Sequence, residues 1–185
     1  IKIADEDGAE KPRGEPGELC IAGEGLFWGY YKKPEANRDS FRGKWFRTGD
    51  VAVMDADGYV SIVGRLKEMI KRSGENIAAI EVQEVLAEHE AIVEAAVVGA
   101  PDPMRNEEVK AYILLAEGKT AEDVSPADIQ AHCLERLSKF KVPRYIAYVD
   151  EFPRTPSNKI AKNKLIAGVD DLTQGAFDLL ENKTH

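Results

Sequence analysis

Three short clusters in the sequence contain side chains that can do chemistry. The first, residues 45–50, ends in a glycine turn followed by a carboxylate and directly precedes an apolar strand. A carboxylate accepts two hydrogen bonds with defined geometry, so Asp50 can hold the paired hydroxyls of a ribose. The simpler interpretation is an aspartate that caps its own turn, and the spacing alone favours it.

The second cluster, residues 64–77, places four basic side chains around a short apolar strand and a turn formed by Ser73 and Gly74. A cationic loop of this kind can bind phosphates or a carboxylate. The alternative is an exposed hairpin whose lysines keep it soluble.

The third cluster, residues 152–165, has two prolines that stiffen a loop bearing Lys159. Asn158, directly before it, tolerates a positive φ angle, and Ile160 can anchor the turn in the core. A lysine on a rigid loop is a candidate partner for a phosphate or a carboxylate. An ordinary solvated lysine is the simpler interpretation.

A weaker basic group lies between a predicted helix and a predicted strand. It can receive the phosphates of a nucleotide, but a solvated connection is the favoured interpretation. Its members are Arg136, Lys139, Lys141 and Arg144.

Composition excludes several other kinds of site. Cys20 and Cys133 lie in different segments without a Cys-x-x-Cys pattern or clustered histidines, so neither a disulfide framework nor a metal site is predicted. We expect both cysteines to be buried as small hydrophobes. No Walker phosphate loop occurs, so ATP cannot be bound in that way.

The net charge is −8, from 25 Lys and Arg against 33 Asp and Glu, and such a charge opposes binding to nucleic acid or to an anionic membrane. No apolar run approaches the roughly 20 residues that cross a bilayer, and residues 1–8 do not resemble a signal peptide. We therefore expect a cytoplasmic protein without a transmembrane segment.

The elements that position the clusters fall into two regions. Up to Gly64, runs of strand-forming residues alternate with turn formers, which predicts a β-rich piece. Beyond it, hydrophobic spacing predicts helices over residues 78–89 and 126–137, the second with Ser125 as its N-cap.

Buried strands are predicted over residues 92–99, 109–115 and 144–149. The predicted fold class is therefore α+β, with a β-rich piece over residues 1–66 and a small α+β domain over residues 67–185.

Both ends of the chain carry a signal. The chain opens with Ile1 inside an alternating strand, so we expect a piece of a longer protein. Residues 169–185 have an apolar stripe at helical spacing, which can dock as a helix or belong to a mobile terminus.

Together and in this order, the three clusters resemble the late core motifs of the adenylate-forming (AMP-binding) superfamily, which includes acyl- and aryl-CoA synthetases. The resemblance extends from residues 14–19 through residues 29–36 to Leu165. It implies the carboxy-terminal part of an acyl-CoA ligase, an AMP-forming acid–thiol ligase. Residues 1–66 would end its large adenylation domain, and residues 67–185 would be its small mobile domain.

The reaction that this resemblance implies has two halves. A carboxylic acid and ATP first give acyl-AMP and pyrophosphate, and coenzyme A then displaces AMP to form a thioester. The implied partners are the acid, ATP and coenzyme A, with Mg²⁺ bound mainly by residues upstream of this chain. An isolated chain of these residues is expected to be inactive.

The resemblance also implies roles for single residues. Asp50 would bind the ribose hydroxyls, Arg65 would contact the nucleotide, and Lys67 would be the hinge about which the small domain rotates. Lys159 would be catalytic, reaching the substrate carboxylate and the α-phosphate during adenylation. The family usually has glycine where this chain has Asn158.

The loop of residues 71–76 would line the pantetheine tunnel during the second half-reaction. Its implied coenzyme A contacts are Lys71, Ser73, Gly74 and Glu75. A glycine there would let the backbone approach the thiol, because a Cβ would fill the space.

Two alternatives stay open. The first is the adenylation domain of a nonribosomal peptide synthetase, which is disfavoured because no carrier-protein segment follows Leu165. The second is a non-catalytic interaction module whose acidic helix, residues 78–90, binds a partner. The presence of Asp50, Arg65 and Lys159 in one chain argues against it.

Overall fold

The structure is a computed structural model that describes every residue from Ile1 to His185. The chain forms two compact units, Ile1–Lys67 and Glu68–His185, which we call unit 1 and unit 2. Together they contain twelve strands and four α-helices, which confirms the predicted α+β class. None of the helices has the length and apolar character that crossing a membrane requires.

Unit 1 is built on a five-stranded antiparallel sheet in the order β1-β2-β4-β3, with β5 also paired to β4. Its core includes Ile3, Leu19, Ala52 and Met54. The strands are β1 (Lys2–Ala4), β2 (Gly17–Ile21), β3 (Phe41–Arg42), β4 (Trp45–Met54) and β5 (Val60–Arg65).

One element of unit 1 was not predicted, the short helix α1 (Pro34–Ser40). The sequence contains its signals, because Pro34 stands in the first turn, where its missing N–H costs nothing, and Glu35 follows near the positive end of the helix dipole. The strand-and-turn interpretation of residues 1–66 was therefore incomplete.

Unit 2 contains a seven-stranded mixed sheet in the order β12-β11-β10-β9-β6-β7, with β8 also paired to β9. Only the β9–β10 pair is parallel. The strands are β6 (Met69–Arg72), β7 (Glu75–Ala78), β8 (Ile92–Asp102), β9 (Asn106–Leu115), β10 (Tyr145–Tyr148), β11 (Phe177–Asp178) and β12 (Lys183–Thr184).

Three helices belong to unit 2, namely α2 (Ala79–Ala87), α3 (Pro126–Leu134) and α4 (Lys162–Ile166). The first two confirm the predicted helices with slightly later starts or earlier ends. Ser125 caps α3 as predicted, and with Asp128 it forms a reciprocal capping box.

The alternation of side chains along β9 divides the core of unit 2. Val109, Ala111 and Ile113 are buried on the face that packs against α2 and α3. Tyr112 points to the opposite face, where a second cluster includes Phe152 and Ala176. Because successive strand residues face opposite sides, one strand serves both clusters.

The tail, residues 169–185, is neither a helix nor detached from the rest of unit 2. Its strand β11 pairs antiparallel with β10, and β12 pairs with β11. The helical interpretation of its apolar stripe is wrong, because the open edge of β10 supplies backbone partners that an isolated short helix lacks.

Candidate functional site

Asp50 and Arg65, the two residues predicted to contact a nucleotide, meet within unit 1. The antiparallel register of β4 and β5 places them directly opposite each other, and Arg65 Nε donates to Asp50 Oδ1 at 2.7 Å. The arginine side chain is 61% exposed and the aspartate side chain 27%. Exposed ion pairs contribute little to stability, so this pair can rearrange around a ligand at small cost.

The surroundings of Asp50 differ from the predicted turn before a strand. Asp50 lies inside β4, at an irregularity where Gly49 has a φ of 75°. Thr48 Oγ1 donates to the carbonyl of Leu19 at 2.9 Å and accepts from the Asp50 N–H at 3.0 Å. The carboxylate is therefore oriented toward Arg65 by a bulge in a continuous strand.

Glu18, on the neighbouring strand β2, supports this bulge and was missed by the sequence analysis. Its side chain is 7% exposed and accepts from Arg47 Nε at 2.7 Å and from the Gly49 N–H at 3.2 Å. Buried charges require such partners. The available signal was an acidic residue inside the apolar run of β2.

Lys67, the predicted hinge, is exposed and lies in the short 3₁₀ helix Leu66–Glu68 that follows β5. It is the last residue of unit 1, and Glu68 is the first residue of unit 2. The boundary between the two units along the chain therefore lies at this residue.

The predicted coenzyme A residues lie in the β6–β7 hairpin of unit 2. Ser73 and Gly74 form its two-residue turn with φ angles of 51° and 87°, as a type I′ turn requires. The Ser73 N–H donates to the carbonyl of Arg105 at 2.9 Å. A Cβ on Gly74 would meet no atom of the chain within 4 Å, so the backbone angle, not crowding, requires glycine in this structure.

Lys71 and Glu75 flank this turn with exposed side chains, and the Lys71 N–H donates to Glu107 Oε2 at 2.6 Å. Arg72 is different, because its side chain is only 16% exposed and its Nε donates to Glu108 Oε2 at 2.6 Å. Of the two basic residues in the hairpin, only Lys71 therefore presents its charge to solvent.

Lys159 lies at a tight turn of unit 2 with its side chain exposed. The Thr155 N–H donates to the carbonyl of Lys159 at 2.8 Å, and Thr155 Oγ1 accepts from the Lys159 N–H at 3.1 Å. Asn158 has a φ of 62°, and Ile160 packs against the second core cluster, as predicted for both residues. Asparagine therefore adopts here a left-handed angle that glycine would adopt without strain.

Ion pairs hold this loop on both sides. Arg154 Nη1 donates to Glu94 Oε1 of β8 at 2.9 Å, and the hydrogen bonding from Arg154 lowers the pKa of the Glu94 carboxyl. Lys162, at the start of α4, donates to Glu68 at 2.5 Å. The position of Lys159 is thus defined by hydrogen bonds within its own loop and by the Arg154–Glu94 and Lys162–Glu68 ion pairs.

Residues 81–159 of the chain match the family of the AMP-binding enzyme C-terminal domain. The chain is 42% identical over 166 residues to the sulfoacetate–CoA ligase of Cupriavidus necator, which covers 89% of this chain and 32% of that ligase. It is 45% identical over 157 residues to the putative acyl-CoA synthetase YngI of Bacillus subtilis, covering 84% and 28% of the two chains.

A solved structure, o-succinylbenzoate CoA synthetase of Bacillus subtilis in complex with its acyl-adenylate intermediate, superposes with a TM-score of 0.80. The two proteins are 32% identical, and the match covers 91% of this chain and 34% of the synthetase. The chain belongs to the adenylate-forming superfamily. It spans about a third of the length of the relatives described.

Membership of the adenylate-forming superfamily confirms the resemblance inferred from the three clusters. The weaker basic group, which includes Arg136, Lys141 and Arg144, agrees only in part with the solvated connection that the sequence favoured. Lys141 pairs with Glu81 at 2.6 Å and Arg136 with Glu88 at 3.1 Å, while Arg144 is largely buried beside Asp178. A solvated connection is therefore the wrong description of Arg144, which is a structural residue.

The two cysteines are free and buried, as predicted. Burial raises the pKa of the Cys133 thiol to about 11, so this thiol stays protonated at neutral pH and is a poor nucleophile.

Proposed function

We propose that this chain is the carboxy-terminal part of an ATP-dependent acyl-CoA ligase. The observation that carries the proposal is the extent of the match to proteins named as CoA ligases. The match to the sulfoacetate–CoA ligase covers 89% of the chain, well beyond the C-terminal domain at residues 81–159. The similarity thus reaches the region that contains Asp50 and Arg65 as well as the region that contains Lys159.

In the first half-reaction, an oxygen of the substrate carboxylate attacks the α-phosphorus of ATP and pyrophosphate leaves. Asp50 accepts hydrogen bonds from the ribose hydroxyls, with Arg65 exchanging part of its contact with Asp50 for the nucleotide. Lys159, a flexible cation on a defined turn, stabilises the negative charge that develops on the transferring groups.

In the second half-reaction, the thiol sulfur of coenzyme A attacks the acyl carbonyl carbon and AMP leaves. The hairpin with Lys71, Ser73, Gly74 and Glu75 lines the path of the pantetheine. We assign the change between the two half-reactions to rotation about Lys67, and the meeting of the two compact units at Lys67 and Glu68 supports this hinge. Domains of residues 1–66 and 67–185 follow from it.

Mg²⁺, which neutralises phosphate charge when bound, is assigned to residues outside this chain. Asp178, Glu181 and His185 form a group with ligand atoms within 4.8 Å of one another. They do not fit the ion, because the buried carboxylate of Asp178 is already held by Arg144 at 2.8 Å.

The proposal is tested with a full-length ligase that contains this chain. We expect it to convert a carboxylic acid, ATP and coenzyme A into AMP, pyrophosphate and a thioester, and we expect the isolated 185-residue chain to be inactive. Formation of ADP and phosphate by the full-length enzyme, or steady thioester production by the isolated chain, would overturn the respective statement.

Replacement of Lys67 by proline tests the hinge. Proline restricts φ to about −65°, so Lys67→Pro is expected to trap one conformation and to impair one half-reaction far more than the other. Pyrophosphate exchange reports adenylation, and thioester formation from supplied acyl-AMP reports the second step. Lys67→Ala is the control that keeps the backbone free. Equal loss of both steps in a folded Lys67→Pro protein contradicts a hinge at this residue.

A further inference from the structure

Three charged side chains of unit 2 are almost completely buried: Glu108 at 1%, Lys110 at 2% and Asp178 at 0% exposure. A buried charge is costly unless it is paired and hydrogen-bonded. Glu108 and Lys110 lie on β9, whereas Asp178 belongs to the tail. Their partners therefore show which distant segments are joined through the interior.

The first partners of Glu108 are in or next to the hairpin. Arg72 donates to both carboxylate oxygens of Glu108, with Nε at 2.6 Å and Nη2 at 3.4 Å. Arg105 Nη1 lies 3.4 Å from Glu108 Oε1, and the carbonyl of Arg105 accepts from the Ser73 N–H at 2.9 Å. Glu108 thus acts on the turn through Arg72 and, less directly, through Arg105.

On its other side Glu108 faces Arg144, whose Nη1 lies at 3.7 Å. Arg144 also donates to Asp178 through Nη2 at 2.8 Å and to Asp102 through Nη1 at 3.2 Å. Asp178 Oδ1 accepts in addition from the Leu180 N–H at 2.8 Å. The guanidinium of Arg144 therefore bridges the tail to the acid that holds the hairpin.

Asp178 is ionised in this network at neutral pH. Burial acts to raise its pKa, but the hydrogen bonds from Arg144 and from backbone N–H groups of the tail dominate and lower the pKa to about 2. Opposite charges therefore alternate from the tail to the hairpin, in the order Asp178, Arg144, Glu108 and Arg72.

We propose that Asp178 and Arg144 are positioning residues for the thioester half-reaction, with the docked tail setting the Ser73–Gly74 turn through Arg144, Glu108 and Arg72. This inference rests on the proposed role of the hairpin in coenzyme A transfer. Without the Asp178 charge, Arg144 remains buried and turns toward Glu108. Arg72 then loses part of its partner, and the turn loosens.

The structural link is tested by hydrogen exchange of the Ser73 amide, measured by NMR on the 185-residue chain. Asp178→Asn keeps the shape of the side chain and removes its charge. We expect exchange at Ser73 to be about tenfold faster in this variant, because local opening becomes easier. Unchanged exchange at Ser73 overturns the proposal.

Lys110→Met is the matched control. Lys110 Nζ also holds the tail, donating to the carbonyl of Leu172 at 2.5 Å, but it is not among the cations paired with Glu108, which are Arg72, Arg105 and Arg144. We expect Ser73 exchange close to that of the parent in this variant. An equal acceleration in both variants means that any loosening of the tail reaches the hairpin, and the assigned network is then wrong.

The functional part is tested in the full-length ligase. Asp178→Asn is expected to slow thioester formation from supplied acyl-AMP about tenfold or to raise the KM for coenzyme A, and to leave pyrophosphate exchange within about twofold of the parent. Faster Ser73 exchange with unchanged coenzyme A transfer overturns the positioning role. A parent enzyme that forms no thioester instead refutes the proposed function itself, whatever the exchange data show.

A second variant covers the case in which Asp178→Asn does not fold. Arg144→Lys keeps the positive charge beside Asp178 but gives up the planar fork that reaches Asp102 and Glu108 together. The same acceleration at Ser73 and the same selective loss of coenzyme A transfer are expected. Parent-like values for Arg144→Lys in both measurements overturn the proposal.

Discussion

The hairpin turn at Ser73–Gly74 and the turn before Lys159 use the same local device and are held in place differently. Each depends on left-handed backbone angles, at Ser73 and Gly74 in one case and at Asn158 in the other. The hairpin is braced from the interior by Arg72 and Glu108, whose side chains are 16% and 1% exposed.

The Lys159 turn is instead held by its own hydrogen bonds to Thr155 and by two ion pairs at the surface, Arg154–Glu94 and Lys162–Glu68. Breaking a buried pair leaves an uncompensated charge in the interior, whereas breaking an exposed pair returns two charges to water. The comparison indicates that the hairpin depends on distant parts of unit 2, while the position of Lys159 depends mainly on its own loop.

The largest expected effect is on stability. It compares the buried Arg72–Glu108 pair, which supports the hairpin, with the Arg154–Glu94 pair at the surface, which supports the Lys159 turn. Glu108→Gln leaves Arg72 and Arg144 short of a buried partner and should lower the free energy of unfolding by about 3–5 kcal/mol. Glu94→Gln, the matched change at the surface clamp of Arg154, should alter it little. Denaturant unfolding of both variants checks this. A similar loss of unfolding free energy in the two variants would show that burial does not distinguish the two ion pairs.

Lys159→Ala is expected to lower the rate of adenylation on the order of 10²-fold or more, since a positive charge near the reacting phosphate is removed. Thioester formation from supplied acyl-AMP should be largely retained, and because the Lys159 side chain is exposed, we expect little change in stability. Pyrophosphate exchange in the full-length ligase measures the first step. Lys164→Ala removes another exposed lysine of the same region and should behave like the parent. Normal adenylation by Lys159→Ala would contradict the catalytic assignment.

Gly74 allows backbone strain to be separated from crowding of the pantetheine path. Its φ of 87° is unfavourable for leucine but tolerable for asparagine. We expect Gly74→Asn to reduce coenzyme A transfer about tenfold and Gly74→Leu to reduce it further, with pyrophosphate exchange retained in both. If Gly74→Asn transfers to coenzyme A at the parent rate, the positive φ angle explains the glycine, and crowding of the pantetheine path does not.

The smallest expected effect concerns Lys110, which lies on β9 two residues after Glu108. Burial lowers the pKa of this lysine from 10.5 to about 8. Below pH 8 the lysine is charged in both the folded and the unfolded chain. Between pH 8 and 10.5 the folded chain has released the proton and the unfolded chain still binds it, so stability rises with pH.

Relative to Lys110→Met, the parent chain should therefore gain about 1 kcal/mol of unfolding free energy between pH 7.5 and 9. Denaturant unfolding of both proteins at the two pH values measures the difference, and titrations shared by both chains cancel. A difference that stays constant or falls with rising pH would contradict a buried lysine with a lowered pKa.

The amino-acid sequence by itself determined the features that depend on near neighbours. Ser125 three residues before Asp128 specified the start of α3, and Ser73 with Gly74 specified a two-residue turn. Asn158 specified the left-handed angle before Lys159. Capping, turn geometry and hydrophobic period act over a few residues, so a single sequence contains the information. The functional roles of Lys159, Gly74 and the other site residues stay predictions.

The tertiary structure alone decided the features that join distant segments. The tail pairs with β10 although its spacing favours a helix, because the edge of the sheet and the Arg144–Asp178 pair are supplied from elsewhere in the chain. Likewise, Asp50 faces Arg65 through strand register, and Glu18 reaches Gly49 from the adjacent strand. The free energy of these contacts depends on burial and on partners remote in sequence, which no local pattern encodes.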